Sequence, residues 1–596
     1  MQARRAGASR LLAAAAILSL AAAAAILSLL ASAPAGALIA RTPTHIPPSR
    51  RLPVTTLRAV RDSAAATRAT AARDRSPQPP AGGLDAVLLP DWEVLVLLPR
   101  TAAAAVALDG GGRGNATCVF FAGGAAAAAV ASPARALGRM PASGRRAYAC
   151  TMPRPARRRH PLRAPRLITA SSSSSSAVAA GKEAEAEAEA EARSPPPEML
   201  RWSGKLVYDA VALGGGGDVL VFAKGVNPRQ GVNRAASDVR CVYYRRGADS
   251  ADVVASLLAA TSAQQVFRCP PPPTPQELRV TLAVAGEELI PSLATYSPPR
   301  GRHVGSAPPN KKLICACTMV RDVAKFLREW VVYHAAVGVD RFYLYDNGSE
   351  DDLADQVRQL SAAGFDISVR SWPWPKTQEA GFSYTAAVHQ DSCEWMAFID
   401  VDEFIFSPGW TKSRKPTKSM LRSIMAVEPD VGQVMLGCVD FGPSGQTTHP
   451  KEGVTQGYTC RRRTKERHKS LLRLDAVDQS LMNSIHHFDL QSGFRGEQSR
   501  QARVNHYKYQ AWEEFKVKFR RRVSTYVADW TDPVNPGSKD RTPGLGFEAV
   551  EPAGWAQKFC EVEDTLLRDV TRRWFGVGFQ KRLAGRPVGP SPTHSR

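Results

Sequence analysis

The chain has 596 residues, 44% of them hydrophobic, too many for one ordinary domain and apolar enough for two or three with proper cores. A formal net charge of +23 suggests a nucleic-acid binder, but residues 1–170 hold 23 Arg and no Lys against 6 acidic residues, leaving 55 basic against 49 acidic for the remainder. Those Arg are scattered among Ala, Pro and Ser, not interleaved with aromatics on one face. This disfavours nucleic acid and favours a solvated basic stalk.

Residues 1–10, with Arg4, Arg5 and Arg10, read as a cytosolic tail. From Leu11 to Ala40 there is no charge, a run longer than the roughly 20 residues a membrane helix needs. We expect a transmembrane signal-anchor over residues 11–33, with the bulk of the chain on the lumenal side. A cleaved signal peptide and an organelle transit peptide are the rivals. Residues 41–81, rich in Pro, Arg, Ala and Thr without period, read as a disordered stem. The ten Cys and the Asn115-Ala-Thr117 sequon suit an oxidising lumen.

Residues 82–295 read as a β-rich domain with a low-complexity insertion at about 153–197, where RPARRRHP, six Ser and EAEAEAEAEA predict no structure. Before it stand VLVLLP and CVFFAG; after it come KLVYDAVAL, DVLVFAKGV, CVYYRRG, QQVFRC and LRVTLAVAG, spaced like the strands of a β-sandwich. Cys241 with Cys269, and Cys118 with Cys150, are placed to staple such strands.

From Lys311 the pattern alternates. KKLICACTM is a buried strand, and Val323 to Val337 follows helical spacing up to Gly338, with His334 a packed or capping residue. RFYLYD is a second strand, Glu350 to Ala363 a second helix, and DISVRSW and WMAFID a third and a fourth strand around a helix near Thr377 to Gln390. Such alternation predicts a parallel sheet covered by helices, with ligands beyond the carboxyl ends of its strands. Two acidic clusters fall at that edge. In the first, Asp346 to Asp352, Asp346 and Asn347 can hold a ribose or base edge; a turn with a helix N-cap is the plainer use. The second interrupts the apolar run WMAFIDVDEFIF, where Asp400, Asp402 and Glu403 arrive together. On a strand ending, Asp400 and Asp402 point to the same side, so both can face a divalent ion that holds a diphosphate. A salt bridge or helix cap is the alternative.

ICACTMVRDVAKFLREWVVYHAAVGVDRFYLYDNGSEDD, WPWPKTQEAGF, CEWMAFIDVDEF, FGPSGQTTHPKEGVTQGYTC, ERHKSLLR, SIHHF and VNHYKYQAWEEFKVKFRRRVSTYVADW resemble glycosyltransferase family 92, from about Arg201 to the C-terminus. The resemblance implies an α/β, GT-A (Rossmann-like) glycosyltransferase domain over residues 311–580, preceded by the small β-sandwich-like domain and the single N-terminal transmembrane helix, and followed by a flexible tail at 581–596. It further implies a Golgi type II enzyme with a lumenal catalytic domain, moving a hexose with inversion from a UDP-sugar donor. Galactose onto β-1,4-galactan is the leading case, as in the family's plant galactan synthases.

Under that resemblance Asp400 and Asp402 match the Asp-x-Asp metal site for Mn2+ (or Mg2+), and His506 is the candidate further ligand. Lys469 is the candidate diphosphate contact and Asp440 the candidate catalytic base, with Asp475, Asp478, Glu513 and Glu514 as competitors. Trp372 and Trp374 are positioned to stack on a sugar face, with Gln378 and Glu379 bonding its hydroxyls; core packing is the commoner use of such Trp. The expected partners are a nucleotide sugar, a glycan acceptor and the membrane, with room for a homodimer. The other readings are a non-catalytic carbohydrate-binding or scaffolding protein of the same fold and a metal-dependent phosphoesterase, the latter lacking an evident two-metal ligand set.

Overall fold

The computed structural model describes residues 84–99, 116–120, 129–158, 160–168, 196–214, 217–227, 231–246, 251–299, 311–518 and 551–579. The expected cytosolic tail, anchor, stem, sequon asparagine and C-terminal tail lie outside these residues. Among the described residues no helix is long and apolar enough to cross a membrane.

The region expected as one β domain holds two β structures. Strands Asp85–Leu88, Glu93–Leu97, Ala116–Phe120, Val130–Arg139, Arg146–Thr151, Arg166–Ile168 and Leu200–Arg201 make a seven-stranded, mostly antiparallel sheet. One expectation is corrected here. Arg154–Arg157 forms a helical turn and Arg166–Ile168 pairs with Ala116–Phe120, so the first part of the low-complexity stretch is structured. Its Leu162 and Ala164 are buried in the core under the sheet, a role that the surrounding Arg and Pro conceal from composition alone. Residues 169–195 of the same stretch lie outside the described residues.

The second structure is the sandwich. Leu206–Ala212, Val219–Lys224, Thr261–Ala263 and Val266–Cys269 form one sheet, and Val239–Arg246, Ala251–Leu258, Leu278–Val284 and Thr295–Tyr296 the other. Alternation sends Val219, Val221 and Phe267 from one sheet, and Cys241, Tyr243 and Leu282 from the other, into a shared core. Both anticipated disulfides are present, Cys241–Cys269 crossing between the two sheets; Cys315–Cys393 and Cys460–Cys560 add two more. Cys317 and Cys438 are free and buried.

Of the remaining described strands, Asn483–Ser484 pairs with His487–Phe488 in a separate two-stranded ribbon, and the other nine build a mixed sheet. We number its main elements β1 (Lys312–Val320), α1 (Ala324–Val337), β2 (Arg341–Asp346), α2 (Leu353–Ala362), β3 (Ile367–Ser371), α3 (Gln378–Val388), β4 (Cys393–Phe398), β5 (Glu403–Phe406), β6 (Val431–Phe441), β7 (Cys460–Arg473) and β8 (Arg495–His506). The order is β3-β2-β1-β4-β7-β6-β8-β5, with Val562–Glu563 pairing to β7. The first four strands are parallel, as the alternating pattern predicts; from β7 onward most pairs are antiparallel.

Helix α1 fixes the strand that follows the second acidic cluster. Trp330 Nε1 donates to the Glu403 carbonyl at 3.1 Å, and the Tyr333 hydroxyl to the Ile405 carbonyl at 2.7 Å. His334 is the packed residue expected: its Nε2 accepts from the Ile405 N–H at 3.3 Å, and burial pushes its pKa down to about 3. Gly338 ends the helix at φ 136°, where a Cβ would stand 2.5 Å from the Lys418 carbonyl oxygen. That backbone leaves no room for a side chain.

Trp372 and Trp374, each 1% exposed, do not present a sugar platform. Trp374 stacks on Trp202 with centroids 5.6 Å apart and packs against Tyr208, while Trp372 meets Phe222 edge-on, all three partners lying on or just before the sandwich's first two strands. One apolar cluster therefore runs from the seven-stranded sheet through the sandwich into the β1–β4 face. Trp372→Ala should cost about 3–5 kcal/mol. The check is a urea titration in which the midpoint falls at unchanged slope.

Candidate active site

Strand β4 ends at Phe398 and β5 begins at Glu403, so Asp400 and Asp402 lie on the turn between two strands and not on one strand ending. The turn is closed by the Glu403 N–H donating to the Asp400 carbonyl at 3.0 Å, and the Glu403 carboxylate accepts back from the Asp400 N–H at 2.9 Å. The two aspartates meet different cations. Asp400 takes the Lys469 ammonium at 3.0 Å; Asp402 pairs with Lys518 and stands 3.5 Å from His506 Nε2.

Register assembles the rest. His506, the last residue of β8, pairs with Glu403 of β5 on one side and with Asp440 of β6 on the other. Asp440 Oδ1 is 2.9 Å from His506 Nδ1, which leaves Nε2 toward Asp402 and Glu403. A carboxylate that fixes one ring nitrogen while the other faces an acidic group is the arrangement that orients metal-binding histidines. The other Asp440 oxygen accepts from Lys508 at 2.9 Å. Lys469 also reaches Glu403 at 2.9 Å and touches His486 Nε2. Asp400, Asp402, Glu403 and Asp440 are thus faced by Lys469, Lys508, Lys518 and His506.

Burial works against every charge here, and for three carboxylates the cations prevail. Lys469 and His486 hold Asp400 below its ordinary value, Lys518 and His506 hold Asp402 well below it, and His506 and Lys508 do the same for Asp440. Glu403, with no exposure, is pushed up by burial and the field of Asp400. Burial opposes the imidazolium too, yet Asp402, Glu403 and Asp440 raise His506 to about 9.

The catalytic-base expectation for Asp440 is corrected on this geometry. Both its oxygens are engaged by cations and its carboxyl is 1% exposed, so it is a poor proton acceptor and a good anchor for His506. Of its competitors, Asp475 is held by Arg473 at 2.8 Å, Asp478 caps the Ser480 N–H, Glu514 pairs with Lys325, and Glu513 pairs with Lys516. Lys469 is brought to the cluster, with its ammonium committed to two carboxylates.

The other expected donor contacts lie apart from these bonds. Asp346 Oδ1 accepts from the Ser349 N–H, and Asn347 Nδ2 donates to the Trp372 and Trp374 carbonyls, so both shape the turn after β2. Arg135 of the seven-stranded sheet reaches over that turn and donates to the Ser349 carbonyl at 3.1 Å. Glu379 opens α3 against the sandwich, accepting from Gln264 Nε2 at 3.5 Å, with Gln378 half-buried beside it. Sequence reasoning missed Lys508 and Lys518. Lys508 sits two residues beyond His506, which was a usable hint; Lys518, in WEEFKVKF, resembles any solvated charge.

Among the described residues no group of three or more His, Cys, Asp or Glu side chains is arranged to hold a metal ion. The chemistry of the donor set nevertheless fits a hard divalent cation in part: the Asp402 carboxylate and, 3.5 Å from it, an imidazole nitrogen oriented by Asp440, with Glu403 Oε1 already taken by the Lys469 ammonium at 2.9 Å.

The comparisons with known proteins place this mixed α/β sheet and its acidic turn among the glycosyltransferases. The model for glycosyltransferase family 92 matches residues 311–536. A glycosyltransferase family 92 protein of Oryza sativa subsp. japonica is 40% identical over 406 residues, covering 64% of this chain and 68% of the rice protein. One from Arabidopsis thaliana is 39% identical over 390 residues, covering 61% and 66%. The chain belongs to glycosyltransferase family 92. Among solved structures, the mannosyltransferase PcManGT of Pyrobaculum calidifontis in complex with GDP-Man and Mn2+ is 10% identical, covering 39% of this chain and 67% of that one at a TM-score of 0.24. At that score it supports no further statement about this chain.

The raised pKa of His506 fixes a sign. A group whose folded pKa exceeds its unfolded value of about 6.5 adds stability that is full below that pH and lost as pH climbs through about 9. Tm should therefore fall between about pH 6.5 and 9, and His506→Gln should remove that part of the slope; scanning calorimetry of both proteins across the range is the check.

Proposed function

We propose that this glycosyltransferase is an inverting enzyme that moves a hexose, in the leading case galactose from UDP-galactose, onto a cell-wall glycan such as β-1,4-galactan. It works from a single-pass anchor in the Golgi membrane with its sheets on the lumenal side. The parallel order β3-β2-β1-β4 and its mixed continuation support a GT-A reading of the fold. The observation that carries the proposal is the clamp on His506: Asp440 fixes Nδ1, and Nε2 faces Asp402 across 3.5 Å.

In this reading Asp402 and His506 hold a divalent cation, Mn2+ or Mg2+, which when bound supplies charge neutralisation for the departing diphosphate. The chain's own residues do the rest. Asp440 orients His506, and Lys469 bridges Asp400 and Glu403. Lys518, the most exposed of the three lysines of the cluster, is the one free to meet negative charge as it develops on the leaving group. The acceptor hydroxyl oxygen bonds the anomeric carbon as the bond from that carbon to the diphosphate breaks, the electron pair leaving with the diphosphate and the hydroxyl proton passing to solvent water.

The test is sugar transfer by the purified full-length protein with a panel of UDP-sugars and galacto-oligosaccharide acceptors, with and without Mn2+. Galactose transfer that needs Mn2+ and vanishes in Asp402→Ala is expected, and Asp440→Asn should lose about 10–100-fold. Metal-independent transfer that Asp402→Ala leaves intact would refute the site; glycan binding without turnover would turn the reading toward a carbohydrate-binding protein.

A further inference from the structure

The three lysines of the cluster are not equivalent. Lys469 bridges Asp400 and Glu403 and is 9% exposed; Lys508 is 24% exposed, bonds Asp440 and lies 5.1 Å over the Tyr509 ring. Lys518 reaches one carboxylate of the cluster, Asp402, and is 35% exposed. It is the ammonium that leaves at least cost, since water can replace the pair and no second carboxylate is stranded. It also sits on an independent support. Residues 512–518 are helical, and Trp512 and Phe515 pack on Trp555, whose Nε1 donates to the Gln510 carbonyl at 2.9 Å. Lys518 lies three residues beyond Phe515, past this aromatic anchor. Asp402 is held independently of the pair, its carbonyl accepting from the Tyr507 N–H at 2.9 Å.

Because the Asp402 oxygen that faces His506 Nε2 is already taken by the Lys518 ammonium, a divalent ion cannot simply be added. Something positive must give way. We infer that Lys518 is the resident counter-ion of Asp402, yielding that carboxylate to the divalent ion and turning its ammonium to the donor's diphosphate. This rests on the cation reading of Asp402 and His506. The exchange accounts for every charge: Asp402 passes from ammonium to metal, the ammonium passes from carboxylate to phosphate oxygen, and the His506 Nε2 proton, which a metal-bound imidazole cannot keep, leaves to solvent. It also sets the order of events, since metal without nucleotide must compete with Lys518, and metal with nucleotide need not.

The experiment measures Mn2+ binding to the full-length protein by the electron paramagnetic resonance signal of the free ion, with and without UDP, in the wild type, Lys518→Met, Lys518→Arg and Asp402→Asn. Lys518→Met should bind Mn2+ alone about tenfold more tightly than the wild type, yet bind UDP in saturating Mn2+ about tenfold more weakly. Lys518→Arg should stay near the wild type in both, and circular dichroism and Tm report that each variant is folded. If Lys518→Met binds Mn2+ no better than the wild type while Asp402→Asn loses it, the cation reading stands and the exchange is overturned. If no protein binds Mn2+ with or without UDP, the cation reading fails and the exchange with it.

Discussion

Carboxylates cannot be gathered at the end of a buried sheet without partners, because leaving even one uncompensated costs several kcal/mol in a low-dielectric interior. The second half of the sheet is arranged around that constraint. Lys469 comes from β7, Asp440 from β6, His506 from β8 and Glu403 from β5, so the strands that leave the parallel order are those that carry charge into the cluster. The parallel half builds the frame and the turn. The mixed half brings the counter-charges, and it does so through register, with Glu403 and Asp440 paired to the same histidine from opposite sides.

The parallel half was legible in the sequence because its signals are local. Apolar runs of strand length, a helical repeat ended by Gly338 and the Asp346-to-Asp352 turn place every element from β1 to β4 within a few residues. The sandwich strands were legible by alternation, and two disulfides by cysteines falling on strand-like runs, Cys241 and Cys269 in the sandwich and Cys118 and Cys150 in the seven-stranded sheet. Along residues 153–168 the local signal misleads, because Arg and Pro dominate the count while a few apolar residues do the packing.

At the site, residue types were legible and roles were not. Asp400, Asp402, Asp440, Lys469 and His506 all stand in the cluster, but which group meets which is decided across long separations: Asp440 and His506 are 66 positions apart, Asp402 and Lys518 are 116. No periodicity spans such a distance. Asp440 looks like a base in isolation and becomes an anchor only when β8 lies beside β6. Trp372 and Trp374 likewise look like a sugar platform until the sandwich covers them.

That covering has a consequence for where the molecule ends as a unit of folding. The family match begins at residue 311, but Trp202, Tyr208 and Phe222 seal the face of the sheet that α3 and the Trp pair present, and Arg135 closes the turn after β2. On the other side the match stops at residue 536, short of Cys560 and of Leu566–Phe575, whose Leu567 and Val570 enter the main core. A chain cut to the matched boundaries would keep every residue of the acidic cluster and lose the walls of its own interior. Homology here marks what has been inherited as chemistry, and the hydrophobic seams mark a larger inheritance, the piece of polypeptide that can hold a shape.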